Sequence, residues 1–287
     1  MKSGGSFLGI LGWPLEHTLS PTIHNAAFRR LGIDCAYYAW PVSPEELGDA
    51  VRGIRALGAL GANVTMPHKQ AVVQHLDEVS GDAQALDAVN TIQRFGNKLI
   101  GHNTDVDGFR EFLEGDAGVG IAGRRALILG AGGAARAVVK ALADSGAASV
   151  TVAARDPEKG TEAAKLASAG ESIEWSLAEA AAAEADVIVN ATPLGSDGEN
   201  PIPGAPFHSG QVVVDLLYRP PTTALVRAAR GAGAQAWGGL GMLVHQAAAS
   251  FRIWTGQEPA LQVMSAAALH AMTGGRPNPA APPTQSF

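Results

Sequence analysis

The run Ala126-Leu127-Ile128-Leu129-Gly130-Ala131-Gly132-Gly133-Ala134-Ala135 decides how the chain folds. Four apolar residues form a short buried-strand segment, and beyond the glycines Val138, Val139 and Leu142 recur at helical spacing. The glycines between them match the G-x-G-x-x-(G/A) spacing of a dinucleotide-binding turn in its strand-turn-helix context. One glycine makes the tight turn and the next lets backbone approach a pyrophosphate. The small Ala135 lets helix and strand pack closely. A helix N-terminus placed there offers unpaired N–H groups and partial positive charge to phosphates.

Working outward, short apolar runs alternate with helix-period segments. Gly146 stops the first helix, Ser149 to Ala153 is the next strand, and Asp156-Pro157 opens a helix as N-cap plus first-turn proline. Ser176-Leu177-Ala178-Glu179 reads as a capping box, and Asp186 to Asn190 and Gln211 to Leu217 are two further buried strands. This alternation predicts parallel β-α-β units with helices on both faces. The first hundred residues are also α/β. Phe7 to Leu11 is a strand, Ser20-Pro21 opens a helix that Gly32 stops, and Ala36 to Trp40 and Ala62 to Thr65 are strands. Asn90 to Phe95 and Lys98 to His102 flank Gly96-Asn97 as a hairpin, followed by a helix from Asp105 through Phe109, Phe112 and Leu113. Residues from Leu240 to Met272 are helical, with Leu243, Ala247, Phe251 and Trp254 on one face, and have to pack on another layer. The Pro-rich residues 274–287 are expected to be a disordered tail.

The length of 287 residues suits two domains, and 46% hydrophobic against 17% charged residues excludes general disorder. A net charge of −6 argues against a nucleic-acid or membrane-surface protein, which needs a basic face. The single Cys35 cannot form an internal disulfide, which fits a reducing compartment. The apolar stretch Phe7 to Trp13 is closed by Pro14 and Glu16, too short for a signal sequence, and no run approaches the roughly 18 residues of a bilayer span. A soluble, cytoplasmic protein is expected, acting on a small molecule without nucleic acid or membrane, as a monomer or homodimer. The 35 glycines exceed the roughly 20 expected at about 7% usage, without the period of a fibrous protein.

The second strand of the dinucleotide unit ends Val152-Ala153-Ala154-Arg155-Asp156-Pro157-Glu158-Lys159. An arginine there suits the 2′-phosphate of NADP, and Lys159 adds charge one turn on. Asp156 is open to two readings, a ribose ligand of NAD or the N-cap of the helix opened by Pro157. NADP is the expectation, with NAD possible.

The polar clusters lie mostly in the first hundred residues. They are Thr18-Leu19-Ser20-Pro21-Thr22-Ile23-His24-Asn25, Asn63-Val64-Thr65-Met66-Pro67-His68-Lys69, Val89-Asn90-Thr91 and Asn103-Thr104-Asp105-Val106-Asp107-Gly108. With Asn190-Ala191-Thr192-Pro193, Asp215-Leu216-Leu217-Tyr218 and Gly239-Leu240-Gly241-Met242 followed by Gln246, they resemble the shikimate dehydrogenase family in content and order.

That resemblance implies two α/β domains with a cleft between them. One is an N-terminal substrate-binding domain, residues 1–108, completed by helices from 240–273. The other is a central Rossmann NADP-binding domain, residues 109–239. It implies reversible hydride transfer between shikimate and NADP in aromatic amino-acid (chorismate) biosynthesis. Lys69 and Asp105 would be the catalytic pair. In the reductive direction the Lys69 ammonium would give its proton to the nascent hydroxyl; exclusion of water favours the neutral amine while a nearby carboxylate favours the ammonium, and the sequence leaves open which of Lys69 and Asp105 carries the proton. Thr18 and Ser20 would take the substrate carboxylate, and Thr65, Asn90, Asp105, Tyr218 and Gln246 would surround the ring hydroxyls. Gly130, Ala131, Gly132, Gly133, Ala134, Ala154, Arg155, Asp156, Lys159, Thr192, Leu216 and Gly239 would hold the cofactor.

Each residue also has a plainer reading. Ser20, Thr65 and Asp105 precede helical stretches and would serve as caps, and Tyr218 would serve as a strand aromatic. His17, His24 and His68 match no metal spacing, so no metal is expected. Cys35 reads as a core residue. Two departures from the family pattern stand out. Thr18 replaces the usual Ser and crowds the carboxylate position, and Ala154-Arg155-Asp156 replaces Asn-Arg-Thr. They make an NAD-dependent quinate/shikimate dehydrogenase the alternative, with a non-catalytic metabolite sensor a further one.

Overall fold

The computed structural model describes residues 5–16 and 18–273, so the expectations for His17 and for the tail 274–287 fall outside the described residues. The chain forms two compact units. The first holds the residues up to Thr104 and from Ala247 onward, and the second runs from Asp105 to Gln246.

In the first unit, β1 (Ser6–Gly12) leads through α1 (Ser20–Leu31) to β2 (Cys35–Pro41), and α2 (Leu47–Ala56) leads to β3 (Gly61–Val64). Then come β4 (Glu78–Val79), α3 (Gly81–Leu86), β5 (Thr91–Phe95) and β6 (Lys98–His102). The six-stranded sheet has the order β2-β1-β3-β5-β6-β4. Strand β1 pairs parallel with both β2 and β3, and the hairpin β5–β6 is antiparallel, with Gly96 left-handed at its turn (φ 60°). The core between this sheet and α2 consists of Leu11, Val51, Ile54, Val64, Val72 and Leu99 with their neighbours. The C-terminal helix α10 (Leu261–Met272) packs on α1. Burying such aliphatic side chains contributes roughly 1.5–3 kcal/mol each.

In the second unit, α4 (Asp105–Glu111) continues directly into a π-helical turn, Phe112–Asp116. Strands β7 (Arg125–Leu129), β8 (Ser149–Ala154) and β9 (Gly170–Glu174) alternate with α5 (Gly133–Asp144) and α6 (Pro157–Ala164). After α7 (Ala178–Ala182) come β10 (Val187–Asn190), β11 (Val212–Asp215), α8 (Ala224–Gly231) and β12 (Gln235–Gly238). All pairings are parallel, in the order β12-β11-β10-β7-β8-β9. Read in chain order this is 3-2-1-4-5-6, the doubly wound Rossmann arrangement with its switch point between β7 and β10. Its central strands are fully buried runs (VIVN, VVVD), as a sheet buried on both faces demands. Helix α9 (Leu240–Thr255) begins in the second unit and passes into the first between Gln246 and Ala247.

Three local expectations are corrected. The capping box at Ser176–Glu179 does not form, because Ser176 lies in a 3-10 turn, Trp175–Leu177, with its hydroxyl 3.4 Å from the Glu174 carboxylate. Glu179 instead accepts the Gly204 amide at 2.7 Å. Ser20 is not an N-cap; it is the first residue of α1, and its own amide donates to the Thr18 hydroxyl at 3.2 Å. Cys35 is only half-buried, at the start of an edge strand; burial pushes its thiol up to about 11.

Candidate active site

In the first unit the C-terminal ends of β1 and β3 and the entry to β5 converge on the polar residues. The Thr65 amide donates to Leu11 O (2.9 Å), the His68 amide closes a turn onto Thr65 O (2.9 Å), and the Val89 amide donates to Lys69 O (2.7 Å). The Val64 amide donates to Asn90 O at 2.8 Å. Thr65, Lys69 and Asn90 are thereby brought together, Thr65 and Lys69 half-buried and Asn90 buried. Thr65 therefore follows β3 and opens a turn, and caps no helix. Thr18, half-buried, and Ser20, buried, sit at the start of α1.

Behind these residues runs a buried network of neutral groups. The Tyr37 hydroxyl donates to Asn63 Oδ1 (2.6 Å) and interacts with Ser20. Asn63 Nδ2 donates to Asn90 O (3.1 Å), Thr91 Oγ1 (3.0 Å) and Ser250 Oγ (3.0 Å). Asn90 Oδ1 accepts from the Thr104 amide (2.8 Å) and the Thr91 hydroxyl (2.9 Å), and its Nδ2 donates to Thr104 Oγ1 (2.9 Å). These bonds orient Asn90 and Ser20 from behind. Tyr37, Asn63 and Ser250 went unassigned at the sequence level; a lone Asn in the buried strand GANV was the available signal.

His24 and His68 are both buried. His68 Nε2 lies 2.7 Å from Val42 O, and the His24 ring is stacked 4.4 Å from that of Tyr37.

In the second unit Asp105 is the first residue of α4 and is buried, so it too is no cap preceding a helix. A Cβ at Gly108, one turn later, would lie 2.6 Å from Gln246 Cβ, so a glycine there lets α9 approach α4 and sets Gln246 beside the helix that Asp105 opens. The Gln246 side-chain Nε2 donates to Leu243 O at 2.8 Å. Next to it, His245 bridges Glu111 (Nδ1, 3.2 Å) and Asp116 (Nε2, 3.0 Å). Tyr218 lies beyond β11, not in it, and burial pushes its phenol above the ordinary tyrosine range.

The glycine turn between β7 and α5 lies where the sequence puts it. Gly130 takes φ +106°, and a Cβ there would lie 2.8 Å from Thr192 Cγ2. Gly132 is the extended N-cap of α5 and supplies no side chain to its first N–H groups; Gly133 and Ala134 open the helix, and Ala131 sits in the turn before it. An uncapped helix start of this length fits a pyrophosphate. Thr192 is fixed by its amide (3.1 Å) and hydroxyl (2.7 Å), both donating to Asn190 Oδ1. The Gly239 amide donates to Leu217 O (3.0 Å), next to Leu216. At the end of β8, after the buried Ala154, Arg155 is exposed, and the Asp156 carboxylate accepts the amides of Glu158 (3.1 Å) and Lys159 (3.2 Å). Lys159 Nζ is 3.5 Å from that carboxylate, and the Lys159 amide bond is the main reason Asp156 is held below the usual carboxylate range. Of its two readings, the structure realises the N-cap.

Among the described residues no helix is long and apolar enough to cross a membrane. Three family models match the chain. They describe the shikimate dehydrogenase substrate binding domain over residues 10–92, shikimate / quinate 5-dehydrogenase over 115–197, and the shikimate 5′-dehydrogenase C-terminal domain over 239–269. The NADP(+) shikimate dehydrogenase of Moorella thermoacetica is 43% identical over 98% of both chains, and that of Salinibacter ruber 48% identical over 86% of this chain and 90% of its own. The shikimate 5-dehydrogenase of Thermus thermophilus, solved with NADP(H) and shikimate, superposes with a TM-score of 0.85 at 38% identity, over 93% of this chain and 99% of that one. The chain belongs to the shikimate dehydrogenase family.

Proposed function

We propose that this chain catalyses the reversible NADP-linked reduction of 3-dehydroshikimate to shikimate, with Lys69 and Asp105 handling the proton. The placement of Lys69 carries the reading. Its backbone is tied to Val89 at 2.7 Å, one residue from Asn90 and on the same turn as Thr65, so a cation stands among neutral hydrogen-bonding groups suited to a small hydroxylated acid. Bound NADPH supplies the hydride. Lys69 gives its proton to the oxygen that becomes the C3 hydroxyl, and in the oxidative direction takes it back as the neutral amine. Asp105 orients Lys69 and a ring hydroxyl. Thr18 and Ser20 receive the carboxylate, and Thr65, Asn90, Tyr218 and Gln246 receive the ring hydroxyls.

Gly130, Ala131, Gly132, Gly133 and Ala134 would hold the pyrophosphate of the dinucleotide. Ala154, Arg155 and Lys159 receive the 2′-phosphate end, with Asp156 shaping that turn as a cap. Thr192, Leu216 and Gly239 receive the nicotinamide end. Residues 1–108 with 240–273 serve the substrate and 109–239 the dinucleotide. The enzyme works in the cytoplasm, where NADPH is held reduced, as a monomer or homodimer.

Initial rates with shikimate and quinate, each with NADP and NAD, test this. Shikimate with NADP should be the fastest pair, and Lys69→Ala should lower kcat by about 10²–10⁴-fold. Absence of turnover with all four pairs overturns the enzyme reading. Undiminished turnover in Lys69→Ala overturns the role of that lysine.

A further inference from the structure

Asp215 ends the buried strand β11 and is fully excluded from water, yet no cation pairs with it in the described structure. Its carboxylate is held by three donors instead. Oδ1 accepts from Asn190 Nδ2 (2.9 Å) and the Leu217 amide (3.1 Å), and Oδ2 accepts from the Thr223 hydroxyl (2.6 Å). Each donor belongs to a different piece of the sheet's C-terminal edge. Asn190 closes β10, and its Oδ1 fixes the amide and hydroxyl of Thr192. Leu217 follows β11, and its carbonyl accepts the Gly239 amide from the loop after β12 (3.0 Å). Thr223 caps α8, accepting the Val226 amide at 3.3 Å, and so anchors the far end of the loop that carries Tyr218. The chain of contacts also reaches β7, because Thr192 stands against Gly130.

An isolated carboxylate buried at this depth is costly, and an asparagine or serine could have tied two loops at lower cost. A carboxylate offers up to four acceptor positions and no donor, which is what three converging N–H and O–H groups require.

We propose that Asp215 is a positioning residue for the dinucleotide: it holds the loops after β10, β11 and β12 in the mutual arrangement that presents Thr192, Leu216 and Gly239 to the nicotinamide end of the cofactor. This rests on the function proposed above for those three residues. Asp215 touches neither cofactor nor substrate. Its effect is read first in dinucleotide affinity: the substrate-binding residues Ser20, Thr65, Lys69 and Asn90 belong to the first unit and are left as they are, and of the residues proposed for the substrate only Tyr218 rides on a loop that Asp215 holds.

The test compares wild type with Asp215→Asn and Asp215→Ala. NADPH binding is followed by its fluorescence in the absence of substrate, and the KM of shikimate is measured at saturating NADP. The expected result is an NADPH Kd raised about tenfold or more in Asp215→Ala, less in Asp215→Asn, which keeps one acceptor oxygen, and a shikimate KM that rises severalfold less than the Kd, because only Tyr218 among the substrate residues shares a loop with Asp215. Should the alanine variant not fold, the asparagine variant decides alone. An NADPH Kd equal to wild type in a folded Asp215→Asn with a lowered melting temperature overturns the proposal, as does a rise of both constants in step. A wild-type chain that binds no NADPH overturns the proposed function itself, and that is seen before any variant is made.

Discussion

His24 in the first unit and Asp215 in the second are both fully excluded from water, yet their surroundings differ. His24 lies among Phe28, Tyr37, Phe251 and Trp254, with ring centroids 4.4–6.4 Å away, and neither ring nitrogen has a hydrogen-bond partner. Burial pushes it down to about 3 against an ordinary 6.5. Asp215 is pushed up by burial, against which the bonds from Thr223, Leu217 and Asn190 pull down. A histidine can avoid the cost of a buried charge by staying neutral, and its remaining polar cost is smaller than that of a buried carboxylate. A carboxylate near neutral pH is kept by converging donors, and that makes it a tie between loops. Of these two buried groups, one is a packing element and the other a structural hub.

The largest effect that would break this comparison comes from apolar replacement at both positions. Asp215→Leu strands the Asn190, Leu217 and Thr223 donors and should cost at least about 3 kcal/mol in urea unfolding at pH 7, while His24→Leu should cost less than that. Equal losses would mean that His24 is as much a hub as Asp215.

Acid stability sharpens the same contrast. Between 6.5 and about 3 the unfolded chain binds a proton at His24 that the folded chain refuses. Stability therefore falls as pH falls through that window, by up to roughly tenfold in the folding constant per pH unit. Asp215 acts in the opposite sense, since its folded value lies above 3.8 and protonation relieves its burial. His24→Phe should flatten the fall in unfolding midpoint between pH 6.5 and 5, and a fall as steep as wild type would show that another group is responsible.

The smallest of these effects is expected at Ser250, the neutral counterpart of the hub. Its hydroxyl meets Asn63 Nδ2 (3.0 Å), Thr91 Oγ1 (2.8 Å) and Thr104 Oγ1 (3.1 Å). The two threonines can re-pair with each other, so Ser250→Ala should cost about 1 kcal/mol by thermal or urea unfolding. A loss as large as that of Asp215→Leu would show that a neutral network binds its members as tightly as a carboxylate does.

Features governed by neighbours a few residues apart were legible in the chain. The apolar runs at β7, β8, β10 and β11, the glycine turn, the Asp156 cap and the Gly96 hairpin lie where periodicity and turn chemistry put them. Strands β9 (GESIE) and β12 (QAWG) were not, because they are the edges of their sheet and lack a continuous apolar run. The Ser176–Glu179 pattern misled for a related reason, since Glu179 found a better donor in Gly204 than in its own helix.

At the candidate site, the sequence by itself determined the chemical inventory, with Lys69, Asp105, the hydroxyls and amides, and a glycine turn in a strand-turn-helix setting. Tertiary structure alone decided what stands behind them. Ser250 reaches Asn63 across 187 residues and Asn190 reaches Asp215 across 25, and which buried polar groups pair at such separations is fixed by sheet order and register. The physical reason is range. Capping and turn formation are settled within one or two turns of chain, whereas satisfying a buried donor or carboxylate depends on what the folded core places against it.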